Sequence, residues 1–275
     1  MDQLSDSSRC SDIVIVTISN NHGEFLARCL TSVLAQKTTA RAEVHVVDNC
    51  STDDTLQVLA GFHSTRVHRN AAPKGFAANN NAVIRATDSP YVLLLNPDTE
   101  MMGGAIDKLV GFLDAHPDVG MVGPRLVFPD GRIQLSARRF PSLKSVLARR
   151  TPMRKLMTES DWNRWHLMAD SAHDAVMEVD WVLGGCLLIR RRALNQVGGL
   201  DEGYFLYVED IDLAYRLHRA GWKVVYLPSA VVVHHHLAVS DRRLLSRESF
   251  IHMQSMFRYW RKHMAPQLLR LRSKS

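Results

Sequence analysis

The sequence predicts an α/β fold with a mainly parallel central sheet, on three observations. Apolar segments of strand character alternate with amphipathic helical ones through the first half of the 275-residue chain, the pattern of repeated β-α units joined by right-handed crossovers. One of these segments, Tyr91-Val-Leu-Leu-Leu95, is apolar throughout, as a strand is when helices cover both faces of its sheet. That run stops at Asn96-Pro97-Asp98, just beyond a strand's carboxyl end, where open α/β sheets hold their ligands. Asn-Pro-Asp-Thr is equally good turn chemistry.

The elements follow in order. DIVIVTIS (12–19) is read as a strand and EFLARCLTSVLAQ (24–36) as a helix. EVHVVDN (43–49) and DDTLQVLAGF (53–62) repeat the pair, as do a short RVHRN (66–70) and GFAANNNAVIRAT (75–87). YVLLLNPD (91–98) precedes the helix GGAIDKLVGFLDAH (103–116). After Gly131 a basic, loop-rich stretch leads to a helical piece around Asp161 to Asp170. The chain returns to strand at VDWVLGGCLLIRR (179–191), turns through GGLDEGYFLYVED (198–210) and enters the helix IDLAYRLHRAGW (211–222). KVVYLPSAVVVHHH (223–236) is expected to give two short strands split at Pro228, and the last 35 residues one or two basic amphipathic helices. No Gly-x-Gly-x-x-Gly follows the first strand and no Gly-x-x-x-x-Gly-Lys-Ser/Thr occurs, which disfavours a dinucleotide oxidoreductase or a P-loop enzyme.

At 46% hydrophobic the chain can bury a substantial core. No segment approaches the roughly 18 to 20 apolar residues of a membrane span, and the first residues, MDQLSDSSRCSD, are polar, so a cytoplasmic protein is expected. Cys10, Cys29, Cys50 and Cys186 are scattered without a Cys-x-x-Cys pair, which suggests reduced thiols rather than a zinc site or a disulfide framework. The net charge of +6 is uneven: residues 241–275 carry nine Lys or Arg against two acids, and Arg132 to Lys155 carries eight and no acid. Such clusters suit nucleic acid, anionic lipid or a polyphosphate-bearing substrate.

Three constellations have chemical potential. Thr17, Asp48 and Asp98 each close a strand, in position to reach a ligand. A carboxylate at Asp48 suits the N–H of a pyrimidine base, and one at Asp98 a divalent cation bridging phosphates, with hard oxygen ligands favouring Mg²⁺ or Mn²⁺. Ser51 to Asp54 also reads as a helix start. Glu209-Asp210 opens a helix after an aromatic approach, where the macrodipole explains acids structurally and a general base would also be well placed. His234-His235-His236 leaves a strand. Because neighbouring strand side chains alternate faces, at most one or two of them serve as ligands.

Together these segments resemble the family 2 inverting glycosyltransferases of the GT-A fold, in particular the bacterial rhamnosyltransferase-like branch. The resemblance spans roughly residues 12 to 240 and rests on VTISNN (16–21), VVDNCSTDDT (46–55), GFAANNN (75–81), LLLNPDT (93–99), WVLGGCLLIRRRAL (181–194) and GGLDEGYFLYVEDIDLAYRLHRAGW (198–222). LLLNPDT corresponds to the branch's Asp-x-Asp metal motif with Asn96 in place of the first acid. The resemblance implies that Asp98 binds Mg²⁺ or Mn²⁺ on the donor's diphosphate, Asp48 reads the base, and Thr17, Asn81 and Asn96 line the nucleotide. It further implies that Asp210, with Glu209 beside it, is the general base and that one of His234 to His236 completes the metal site.

The implied reaction moves a sugar, rhamnose among the candidates, from a UDP- or dTDP-sugar to a glycan or lipid-linked acceptor in surface polysaccharide biosynthesis. A GT-A domain over 1–240 is expected, with a nucleotide half at about 12–130 and an acceptor half at about 131–240, followed by a basic helical tail over 241–275. A nucleotidyltransferase would need a basic loop near the first strand to hold a triphosphate, and IVTISNNHGEF (15–25) has none. A non-catalytic nucleotide-sugar-binding protein of the same fold is the other alternative. The tail lacks stacking aromatics beyond Phe257, Tyr259 and Trp260, so nucleic acid is not expected. Its three- and four-residue apolar spacing beside cations suits either a helix packed on the catalytic domain or one lying on an anionic membrane surface; the lipid-linked acceptors that the resemblance implies favour the inner face of the cell membrane, with Arg138, Arg139, Arg149 and Arg150 assisting.

Overall fold

The computed structural model describes residues 11–140, 161–235 and 246–264. Strands β1 (Ile13–Ser19), β2 (Ala42–Asp48), β3 (Thr65–Arg69) and β4 (Tyr91–Leu95) are joined by helices α1 (Gly23–Leu34), α2 (Thr55–Leu59) and α3 (Phe76–Arg85). Strand β5 (Thr99–Met101) and helix α4 (Ala105–Ala115) lead to β6 (Val119–Val127) and the short β7 (Ile133–Gln134) and β8 (Ala137–Arg138). Then come α5 (Asp161–His166), β9 (Met177–Glu178), β10 (Trp181–Val182), β11 (Cys186–Arg190), α6 (Arg191–Gln196), α7 (Glu209–Arg219) and β12 (Lys223–His234). Helix α8 (Arg247–Tyr259) closes with a wider turn at Trp260–Met264.

The main sheet runs β3-β2-β1-β4-β11-β6-β12-β5. Pairing is parallel from β3 to β4 and again between β6 and β12, while β11 is antiparallel to both β4 and β6. The α/β architecture with a mainly parallel sheet is therefore present, with β11 entered against the grain. Because β4, β6 and β12 still point the same way, the carboxyl ends of β1, β2, β4, β6 and β12 share one edge, and β11 begins there.

The apolar run of β4 is explained by its two neighbours. Leu94 and Val92 join one core, with Val14, Val16, Ile189 and the α7 residues Leu213 and Leu217. Tyr91, Leu93 and Leu95 join the other, with Ile13, Ile15 and the inner faces of α1 (Leu26, Leu30) and α4 (Ile106, Leu109). A strand covered on both faces tolerates no polar alternation.

Three expectations about elements are corrected. VDWVLGGCLLIRR is two strands in different sheets: β10 pairs with β8, β11 with β4 and β6, and Gly184-Gly185 makes the break. KVVYLPSAVVVH is one strand, and Pro228 falls in a register shift between Leu227 and Val231, where the ladder needs no N–H from it. The residues after Asn96-Pro97-Asp98 form strand β5, antiparallel to β12, so the turn reverses the chain and brings Thr99 opposite His234.

Candidate active site

At the end of β4, the Asn96 N–H bonds the Gly185 carbonyl at 2.9 Å and the Asn96 carbonyl accepts from the Thr99 hydroxyl at 2.6 Å. These bonds build the turn that presents Asp98. The Asp98 carbonyl accepts from the His235 N–H at 2.9 Å, stitching the turn to the end of β12. The Asp98 carboxylate then lies 3.5 Å from His234 Nε2. His234 Nδ1 is 2.7 Å from Gln134 Oε1. An amide oxygen only accepts, so Nδ1 carries a proton and the ring is held with Nε2 facing Asp98.

Of the two described histidines of this run, His234 is the one that meets Asp98. His235 turns to the opposite face, as strand alternation requires, bonding Glu100 at 2.6 Å and packing on Phe25. His236 lies outside the described residues, as do Arg149 and Arg150. Among the described residues no group of three or more His, Cys, Asp and Glu could hold a metal. Asp98 and His234 fit a divalent ion as a two-ligand site, with its remaining positions left to substrate oxygens and water. His22, on the loop between β1 and α1, is close enough for the Asp98 charge to act on it; burial nonetheless holds its pKa below the ordinary histidine value.

The β2 end forms the second wall. Asp48 is buried, and its Oδ1 accepts from the Ser51 N–H at 3.2 Å. Asn21 Oδ1 accepts from the Thr52 N–H and hydroxyl, and Asp53 accepts from Gly23 N–H and from Thr55, which ties this loop to the β1–α1 loop. Cys50 and Asn21 adopt left-handed backbone (φ 65° and 59°), an unusual conformation that this bonding over-determines.

Two residues expected at the nucleotide are placed elsewhere. Thr17 is fully buried with its hydroxyl against the Cys29 thiol of α1, because it shares the sheet face of Ile13 and Ile15. The Asn81 amide is saturated by the loop before α7: it donates to the Leu200 carbonyl and Glu202 and accepts from the Leu200 N–H. Asn81 clamps that loop rather than lining a cleft.

The third wall carries the two acids. Tyr207 and Val208 both have positive φ (68° and 72°), and a β-branched residue in that region is an outlier that costs on the order of 1–3 kcal/mol. The kink starts α7 abruptly and aims Asp210 at the Gly184-Gly185 turn. Asp210 Oδ2 accepts from the Gly184 N–H at 3.1 Å and Oδ1 from the Ile211 N–H at 2.8 Å. A Cβ at residue 184 would lie 3.1 Å from that oxygen, so glycine permits the approach.

Burial raises the Asp210 pKa, partly offset by those N–H bonds and by the Arg138 charge. Burial, then the adjacent Asp210 charge, raises that of Glu209 further, and Glu209 Oε2 has no hydrogen-bond partner among the described residues. The pair is held with its proton affinity moved towards neutrality, the state a general base requires. Gln134, Gly184 and His22 are the contributors that sequence reasoning did not single out. Only the NHG turn offered a local signal.

A family model described as Glycosyl transferase family 2 matches residues 13–197. The N-acetylglucosaminyl-diphospho-decaprenol L-rhamnosyltransferase of Mycobacterium tuberculosis is 35% identical over 238 residues, covering 80% of this chain and 75% of its own. Rhamnosyltransferase WbbL of Escherichia coli is 26% identical over 259 residues, covering 90% and 92%. Among solved structures, GalNAc-T7 with UDP, GalNAc and Mn²⁺ superposes with a TM-score of 0.61 at 16% identity, over 82% of this chain and 44% of that one. That chain is more than twice as long as the portion matched, and the likeness concerns the fold.

Proposed function

Because the chain belongs to glycosyl transferase family 2, we propose that it is a metal-dependent, inverting enzyme that moves a sugar from a UDP- or dTDP-sugar to a glycan or lipid-linked saccharide in surface polysaccharide biosynthesis. Rhamnose is the sugar favoured by the names of the two curated relatives. The observation that carries the reading is the convergence of Asp98–His234 and Asp210 on one sheet edge, bridged by Gly184-Gly185: Gly184 touches Asp210, and a Cβ at 185 would lie 3.4 Å from the His234 ring.

Asp48 and the Asn21–Ser51 loop receive the base, and Asp98 and His234 hold the diphosphate end of the donor. A bound Mn²⁺ or Mg²⁺ would offset negative charge on the departing diphosphate, and the imidazole ligand favours Mn²⁺ over the more strictly oxygen-bound Mg²⁺. Asp210 accepts the proton of the acceptor hydroxyl as that oxygen attacks the anomeric carbon from the face opposite the diphosphate. Attack from that face inverts the centre. Gly184 N–H and the α7 N-terminus fix the carboxylate's direction, and burial keeps its proton affinity high. The acceptor's lipid link puts the reaction at the inner face of the membrane.

The test is thermal shift and calorimetry with a panel of UDP-, dTDP- and GDP-sugars, with and without Mn²⁺. A donor should bind only with metal present, and Asp98→Ala should abolish that binding with the fold intact. Gln134→Leu, which removes the acceptor that orients His234, should weaken metal affinity by about 10–100-fold. Unaltered donor and metal affinity in Asp98→Ala would remove the metal role from this turn.

A further inference from the structure

A helix that closes a domain ordinarily turns its apolar side inwards. Helix α8 turns apolar side chains both ways. Its inner face sets Met256 and Tyr259 on the core beside the buried Ser249 and Ser255, with the Ser255 hydroxyl donating to the Leu206 carbonyl at 2.9 Å. Arg258 bonds Asp201 at 2.9 Å, and in the turn that follows Lys262 and His263 both reach the buried Asp212 at 2.7 Å. These contacts fix the rotation of the helix about its axis. What they leave outside is Phe250, Met253 and Phe257, spaced by three and four residues and 56%, 44% and 64% exposed. Trp260 extends the stripe by stacking on Phe257, with ring centroids 6.3 Å apart.

We propose that this outer stripe of α8 is a docking surface for an anionic lipid bilayer. It rests on the lipid-linked acceptor proposed above, and the structure adds which surface meets the membrane and how it is held. The charge of the segment selects the occupant: Arg247 on the helix and Arg261 in the turn after it are exposed, and Arg270, Arg272 and Lys274 follow in the sequence with no acid beyond Glu248. A convex row of aromatic and thioether side chains among cations matches the boundary between acyl chains and anionic headgroups. No helix among the described residues is long and apolar enough to cross a membrane.

Attachment there would also set the aim of the site. α8 grips the loop that ends at Glu209, through Ser255–Leu206 and the His252 ring on Tyr207, and grips α7 through Asp212. A bilayer that holds the stripe therefore holds the acids in a fixed attitude to the lipid surface.

The experiment is co-sedimentation of the full chain with phosphatidylcholine vesicles, with and without phosphatidylglycerol, at low and high salt. Parent and Phe250→Ser/Phe257→Ser are compared. Both substitutions lie on the exposed face, so the unfolding midpoint should not move. The parent should partition onto the anionic vesicles and less so in high salt, and the double variant's partitioning should fall at least about tenfold. Equal partitioning of the two proteins, or no partitioning of the parent, would overturn the proposal. So would a concentration-dependent dimer of the parent that the same variant dissolves, since the stripe would then belong to a second copy. The vesicles contain neither donor nor acceptor, so failure here is separate from failure of the transfer reading, which is scored on a water-soluble acceptor that both proteins should use equally.

Discussion

Asp210→Asn should lower turnover by about 10²–10⁴-fold, the range for loss of a positioned base, while leaving donor affinity nearly unchanged and raising the unfolding temperature. The carboxamide keeps an oxygen for the Gly184 N–H, and what it gives up is the acceptor for the Ile211 N–H, a first-turn amide that the helix itself leaves unbonded. The stability gain follows from the sign of the shift. Burial places the folded-state pKa of Asp210 above its unfolded value, so its contribution to stability is complete below the unfolded pKa and is lost as pH rises through the folded one. Near neutral pH the ionised carboxylate weakens the fold, and asparagine removes that cost. The parent's activity should rise with pH along a limb displaced upwards from the ordinary carboxylate range, and the limb belongs to the Glu209–Asp210 pair rather than to one acid. Rate measurements across pH and calorimetric melting check both halves. A variant with parental turnover would transfer the role to Glu209.

Asp212→Ala should cost about 3–5 kcal/mol of stability, the range for breaking a buried charge cluster from one side. Asp212 is completely buried and meets Arg216 at 2.7 Å, Lys262 at 2.7 Å, His263 at 2.7 Å and the Tyr204 hydroxyl at 3.3 Å. Burial alone would raise its pKa, but His263, Arg216 and Lys262 outweigh it and hold the group well below the usual carboxylate range. Here the sign is opposite to that of Asp210: the stabilisation is present above the unfolded pKa and disappears as the solution is made acid. Denaturant unfolding of parent and variant at neutral and acid pH should give a large difference that shrinks on acidification. A loss no larger than that of an exposed substitution, about 0.5 kcal/mol, would exclude the cluster as a structural hub.

What could be read in advance was local chemistry. Strand β4 announced itself because burial on both faces demands an unbroken apolar run, and Asp98 because a strand-ending Asn-Pro-Asp aims a carboxylate. What could not be read was set by direction and by long-range contact. Thr17 sits in phase with Ile13 and Ile15, under α1; strict alternation along β1 held that information. Asn79, Asn80 and Asn81 follow one another on α3 and so point three ways. The partner of Asn81 is the backbone of Leu200, which no local pattern discloses. The orientation of the His234 ring was likewise set by Gln134, a hundred residues away in the chain.

The antiparallel entry of β11 matters most while the chain is being made. Until Cys186 to Arg190 have been synthesised, one side of β4 has no partner strand, because β11 is what covers it. At roughly 5–20 residues per second, the ribosome leaves that apolar edge open for about 5 to 20 s after Leu95 emerges. A nascent chain with an uncovered Val-Leu-Leu-Leu edge is a template for pairing with its neighbours, so yield during expression should depend on the spacing of ribosomes on the message and on chaperones that bind extended apolar segments. The strand that completes the sheet around the candidate site is, on this timescale, also what ends the chain's exposure to aggregation.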